Sequence, residues 1–143
     1  MATLKGIACR AASREPMQLL TECEITMDAG VHSDSRGKPG HRQVTLLSAD
    51  AWQTVCAELD VEIPWTTRRA NLLLGGLTFG PDDVGRRIRI GGVELEITQE
   101  TAPCPRMDEQ HGGLTKALES DWRGGVCCRV LNGGRIAIDD PVG

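Results

Sequence analysis

From Met17 to Met27 the side chains alternate. Met17, Leu19, Thr21, Cys23, Ile25 and Met27 hold the odd positions, and Gln18, Glu22, Glu24 and Thr26 fill most of the even ones. A period of two predicts a strand with one buried face, with Cys23 turned inward as a small apolar side chain. The segment from Gly30 to Gly40 is rich in Gly, Ser and charge and reads as a loop. Strand character returns from Arg42 to Leu47, with Val44 and Leu46 on one face. Ser48 then offers an N-cap, Asp50 favours the first turn, and Trp52, Val55, Cys56 and Leu59 form an amphipathic helical stripe.

Beyond Pro64 the apolar runs are short. Leu72-Leu73-Leu74 is stopped by Gly75-Gly76. Residues 86–97 predict a hairpin, Ile88 and Ile90 against Val93, Leu95 and Ile97, turned by Gly91-Gly92 in a primed two-residue turn. Leu114, Ala117, Leu118 and Trp122 predict a second short helix. A second hairpin is expected from Val126–Leu131 and Arg135–Ile138 across Asn132-Gly133-Gly134. Short strands separated by turn signals favour a mainly β, α+β fold: a β-barrel or sandwich with one or two short helices. No internal repeat or low-complexity segment is visible, and 143 residues fit a single domain spanning 1–143.

Composition narrows the function classes. Aromatic residues make up only 3%, so the core rests on Leu, Ile, Val and Ala. A formal net charge of -4 argues against nonspecific nucleic-acid binding. No secretory signal and no run near the roughly 20 apolar residues of a membrane span is present, so a cytoplasmic protein with no membrane partner is expected. The six cysteines should be free thiols in a reducing compartment. With no C-x-x-C pair, and with His32, His41 and His111 not spaced as a zinc set, no zinc site is expected.

Cys104 is the strongest candidate for chemistry. It lies in Thr101-Ala102-Pro103-Cys104-Pro105-Arg106, just past a predicted strand end. The prolines keep the stretch out of helix and out of a central ladder. Arg106 brings a cation near the sulfur, which would favour the thiolate. Cys127-Cys128 should place one thiol on each face of a strand, which argues against a vicinal redox pair. Arg42, Arg68, Arg69, Arg106 and Arg123 sit at element edges, and guanidinium forks suit phosphate. Asn71 and Asp34 could add polar contacts to such a pocket or cap local backbone. No Ser-His-Asp, Walker or G-x-G-x-x-G pattern is present.

Taken in order, these pieces resemble the MOSC domain, found at the C-terminus of molybdenum cofactor sulfurases. The matching segments are Gly30 to Asp34, Arg42 to Ser48, Arg68 to Leu72, Val84 to Gly91, Pro103 to Met107, and Arg123 through Gly134 to Val142. The resemblance spans roughly residues 30–142 and is closest to the short stand-alone type.

The resemblance implies a β-barrel-rich fold and a role in sulfur transfer or in holding the molybdenum cofactor. It implies that Cys104 either carries a persulfide or ligates molybdenum, and that Arg42, Arg69 and Asn71 match residues gripping the cofactor's phosphate and pterin. Three functions follow as expectations. The first is a sulfur carrier, charged by a pyridoxal-phosphate-dependent cysteine desulfurase and passing sulfur to an acceptor such as a molybdoenzyme. The second is a molybdenum-cofactor-binding reductase of N-hydroxylated compounds, with Cys104 as metal ligand. The third is a non-catalytic binding module for a small molecule or cofactor. The chain departs from the family at Asp108, where a Glu is usual, and at Asp139-Asp140 in place of Gly-Asp. It also carries almost none of the extra segments usual in the family's reductases.

Overall fold

The computed structural model describes residues 2–12, 15–35 and 37–143. Arg36, within the segment read as a loop, lies outside the described residues. In chain order the elements are β1 (Ala2–Cys9), β2 (Gln18–Leu20), β3 (Glu22–Thr26), β4 (Gly30–Val31), β5 (Val44–Ser48), α1 (Ala49–Glu58), β6 (Leu72–Gly75), β7 (Arg87–Ile90), β8 (Val93–Glu100), α2 (Met107–Gln110), α3 (Leu114–Glu119), β9 (Val126–Asn132), β10 (Gly134–Ala137) and β11 (Pro141–Val142). Short 3-10 turns occur at Trp65–Arg68, Pro81–Asp83 and Ser120–Trp122. The architecture is mainly β, α+β.

Eight strands form one sheet in the order β11-β7-β8-β9-β5-β6-β1-β2, and β10-β3-β4 form a smaller one. The large sheet curls until β11 meets both β7, through Val142↔Ile90, and β1, through Ala2↔Val142 and Thr3↔Pro141. The join is only as long as the two-residue β11, so the ring is barrel-like and thinly laced at its seam.

All pairs are antiparallel except β5 with β6. Parallel neighbours need a crossover, and α1 supplies it. Along β5 and β6 both faces are buried. Leu46, Leu72 and Leu74 enter the core enclosed by the sheet, with Ile7, Ile88, Leu95 and Ile97. Leu47 points outward, under a second apolar layer built from Trp52, Val55, Met107, Leu114 and Leu118.

The helix signals read correctly. The Ser48 hydroxyl accepts from Ala51 N at 3.1 Å and donates to the Leu77 carbonyl at 2.6 Å, and Trp52 and Val55 are buried. Ile90↔Val93 register closes the first hairpin through Gly91-Gly92, with Gly91 at φ 54° as a primed turn requires.

Three expectations fail. The strand read over 17–27 is two strands: β2 pairs with β1 in the large sheet, and β3 pairs with β10 and β4 in the small one. Cys23 and Ile25 are buried, but Leu19 is 67% and Met27 56% exposed, because one burial face cannot serve two sheets. The second hairpin does not form. Both edges of β9 are occupied by β8 and β5, so β10 pairs with β3 instead. The second helix stops at Glu119, and Asp121 and Trp122, at φ 52° and 55°, lie beyond it. No helix among the described residues is long and apolar enough to cross a membrane.

Candidate functional site

The chain leaves the β8–β9 ladder where its prolines deny it donors. Thr101 N still donates to the Gly125 carbonyl at 2.9 Å, and then Pro103 and Pro105 flank Cys104. The backbone at Cys104 is held from two sides, since its carbonyl accepts from Met107 N at 2.9 Å and from Thr115 Oγ1 at 3.1 Å. Asp108 steadies that second arm by accepting from Thr115 N at 2.9 Å. Donation from the Thr115 N–H holds the Asp108 carboxyl below the usual carboxylate range. The Cys104 side chain itself is exposed.

Behind this loop lies Arg68. Its guanidinium is buried, and Nε donates to the Gly124 carbonyl at 3.1 Å while Nη2 donates to the Thr101 carbonyl at 2.6 Å. Burial pulls its pKa down, with Cys127, Cys104 and Glu100 acting in the opposite direction. Gly124 makes the approach possible: a Cβ there would lie 2.5 Å from the Thr101 carbonyl oxygen and 3.1 Å from Arg68 Nη2. The neighbouring Arg69 sits at φ 62°. That left-handed step turns consecutive side chains apart, sending Arg68 inward and Arg69 to the surface.

Two adjoining cavities meet at Cys104, of about 840 Å³ and about 490 Å³. Thr45, Arg68, Arg69, Thr101 and Cys104 line both. The larger is completed by Asp34, Lys38, Arg42, Asn71 and Cys127 among others, and the smaller by Arg106, Glu109 and Gln110. Of the residues singled out from the sequence, Cys104, Arg68 and Arg69 lie at the waist of one cleft, Asp34, Arg42 and Asn71 in its larger lobe and Arg106 in the smaller, while Arg123 lines neither lobe and pairs with Glu58 at 2.8 Å.

They are not equally available to a ligand. Arg42, Arg69 and Arg106 are exposed cations. The buried Asn71 amide is committed to the fold: Oδ1 accepts from Thr45 N at 3.0 Å and from Thr45 Oγ1 at 3.2 Å, and Nδ2 donates to the Ala8 carbonyl at 3.2 Å. Asp34 Oδ1 accepts from Arg10 N at 3.1 Å.

The MOSC domain model matches residues 29–143 of the sequence. The chain belongs to the MOSC family. Membership gives it a molybdenum-cofactor-related role. The fold agrees with solved structures. YuaD from Bacillus subtilis superposes with a TM-score of 0.79 at 18% identity, covering 99% of this chain and 94% of that one. YiiM from Geobacillus stearothermophilus superposes with a TM-score of 0.76 at 17% identity, covering 99% and 74%. YiiM from Escherichia coli gives 0.72 at 15% identity, covering 98% and 68%. No curated protein matches the sequence significantly.

Within this MOSC chain, three residues have duties that the sequence did not reveal. Arg68 was visible as half of an Arg-Arg pair, but only the backbone turn at Arg69 separates a buried clamp from a surface cation. Gln43 is buried and ties three segments together, donating to the Met27 carbonyl at 2.7 Å and the Gly37 carbonyl at 3.1 Å and accepting from Val130 N at 3.0 Å. Cys127 faces the cleft while Cys128 points into the core, as strand alternation requires. Both are buried, Cys128 within the core and Cys127 against Thr101, whose Oγ1 lies 3.1 Å from its sulfur. Burial pushes the Cys128 thiol strongly up.

The donor set suits a phosphorylated molybdenum cofactor. Arg42, Arg69 and Lys38 offer cations to a phosphate, and Cys104 offers a soft thiolate to a metal. A cavity of about 840 Å³ is of the size that holds small-molecule cofactors.

Proposed function

We propose that the larger lobe receives a phosphate-bearing molybdenum cofactor and that Cys104 is presented to its metal as a thiolate. The observation that carries this reading is the shared wall. The exposed thiol lines the same cavity as Arg42, Arg69 and Lys38. Among the described residues no three His, Cys, Asp or Glu side chains gather to hold a metal. A metal bound through Cys104 would thus take its remaining ligands from its cofactor.

When bound, such a cofactor supplies two-electron redox chemistry, and the reaction class expected of it here is reduction of an N-hydroxylated compound. The chain's own residues bind and orient. Arg42 and Arg69 reach the anionic end with paired N–H donors. Arg68 fixes the Thr101 and Gly124 carbonyls at the base of the loop that carries the sulfur. Thr115 and the Met107 N–H hold the Cys104 carbonyl, and the thiol is exposed.

The test is metal analysis of protein purified from a molybdenum-replete host. Molybdenum near stoichiometry is expected in the parent, with loss in Cys104→Ser and in the double variant Arg42→Ala/Arg69→Ala. Molybdenum-free parent protein, still unable to bind added cofactor, would overturn the reading.

A second reading is favoured by the exposure of Cys104. A thiol that accepts sulfane sulfur from a desulfurase must be reachable by a partner protein, and this one is. Incubation with a cysteine desulfurase and cysteine should then leave one extra sulfur on Cys104. An equal adduct in Cys104→Ser would sink this relay.

A further inference from the structure

The cleft contains a second sulfur that neither reading uses. Cys127 lines the larger lobe together with Cys104, on the wall formed by β9. Its position is rigid. It lies in the middle of the sheet, paired with Thr45 on one side and Gln99 on the other, and it is 1% exposed. The Cys104 segment is the opposite kind of structure. Residues 101–104 have no regular secondary structure, and their thiol is exposed.

Thr101 and Arg68 link the two. Thr101 touches the Cys127 sulfur through its hydroxyl at 3.1 Å and the Arg68 guanidinium through its carbonyl at 2.6 Å. The guanidinium in turn lies within electrostatic reach of both Cys127 and Cys104. Cys9 and Cys23 share a different cavity, away from this cleft, and burial pushes the Cys23 thiol up to about 11.

Resting on the sulfur-relay reading, we propose that Cys127 is the resolving thiol of this site, attacking the Cys104 persulfide to release the carried sulfur as hydrogen sulfide. The step balances. The Cys127 sulfur attacks the inner sulfur of the persulfide, a bond forms between the two cysteine sulfurs, and the bond to the terminal sulfur breaks. The terminal sulfur takes the electron pair and is reduced to sulfide, leaving as hydrogen sulfide with the Cys127 proton and the persulfide proton. The two cysteines are oxidised to a disulfide, which an external thiol reductant reopens. Disulfide geometry needs the two Cα atoms within about 7 Å, and the irregular Cys104 segment is the part that adjusts to meet the fixed strand. The design delivers sulfur as free sulfide at the cleft floor, beside whatever acceptor occupies the larger lobe.

The experiment loads sulfur with a cysteine desulfurase and L-cysteine, removes the donor by gel filtration, and follows sulfide release anaerobically without reductant. Parent, Cys104→Ser, Cys127→Ser and Cys127→Ala proteins are compared, with thermal melts confirming that the variants fold. In the parent, sulfide should appear together with a Cys104–Cys127 linked peptide. In both Cys127 variants the extra sulfur should remain on Cys104, with release slowed by at least about tenfold. A persulfide that survives as long in the parent as in the Cys127 variants overturns the proposal while leaving the relay standing. So does release with no Cys104–Cys127 linkage. Absence of sulfur on Cys104 in every protein, the Cys127 variants included, overturns the relay and the proposal together.

Discussion

Replacing Arg68 by Met tests whether the cleft is held together by one buried cation. The side chain keeps its approximate length and loses both donors. Nε→Gly124 O at 3.1 Å and Nη2→Thr101 O at 2.6 Å disappear, leaving two carbonyls beneath the Cys104 loop without that partner. Hydrogen bonds from a charged donor are worth about 1.5–3 kcal/mol each, so the gross loss is about 3–6 kcal/mol. The guanidinium's own desolvation, which the 9% exposure shows to be large, is recovered on removal. The net destabilisation expected is about 2–4 kcal/mol. At about 3 °C per kcal/mol for a chain of this size, Tm should fall by roughly 6–12 °C. Thermal unfolding followed by circular dichroism is sufficient to measure it. Lys at this position keeps the charge but cannot span both carbonyls, so its Tm should lie between parent and Met. Arg69→Met, on an exposed side chain, should stay within about 0.5 kcal/mol of the parent. If Arg68→Met melted within about 1 °C of the parent, the clamp would be a coincidence of geometry rather than a support.

Three further outcomes are expected. Gly125→Ala should cost at least about 2 kcal/mol, because φ is 97° and a Cβ would meet the Leu46 carbonyl oxygen at 2.2 Å; Gly85→Ala, at φ 89° in open space, should cost less, and equal Tm shifts would contradict the clash argument. The Asp108 carboxyl is depressed by Thr115, so its contribution is present in full above the unfolded carboxylate value of about 3.9 and is lost as pH falls through the lower folded value. The Tm gap between parent and Asp108→Ala should therefore close in acid, and a gap unchanged down to the acid limit of folding would refute the assignment. Brief alkylation of the native protein should modify Cys104 first and the half-buried Cys56 next, sparing Cys9, Cys23, Cys127 and Cys128, with peptide mass mapping as the readout; Cys128 labelled as fast as Cys104 would refute the burial argument.

What could be read from the chain was local or nearly so. The Ser48 cap, the Trp52–Val55 stripe and the Gly91-Gly92 hairpin depend on residues a few positions apart, whose geometry is set by backbone sterics and one buried face. Cys104 stood out for a similar reason, since the prolines beside it remove donors and force an irregular, accessible segment. The family resemblance carried Arg42, Arg69 and Asn71 to the cleft by position, but not their duties: Asn71 holds the backbone of Thr45 and Ala8, and Arg68 rather than its neighbour supports the loop.

Pairing between distant strands was decided elsewhere. Alternation from Met17 to Met27 says that one face is buried, but not that β2 and β3 bury against different sheets. The turn residues after β9 signal a reversal, but β10 pairs with β3 because the edges of β9 are already occupied. Local rules act through neighbouring backbone and fix conformation residue by residue. Which edges remain free, which of two adjacent arginines faces inward, and whether Cys127 comes to share a cavity with Cys104 depend on the whole chain closing around one interior, and only the folded structure records that outcome.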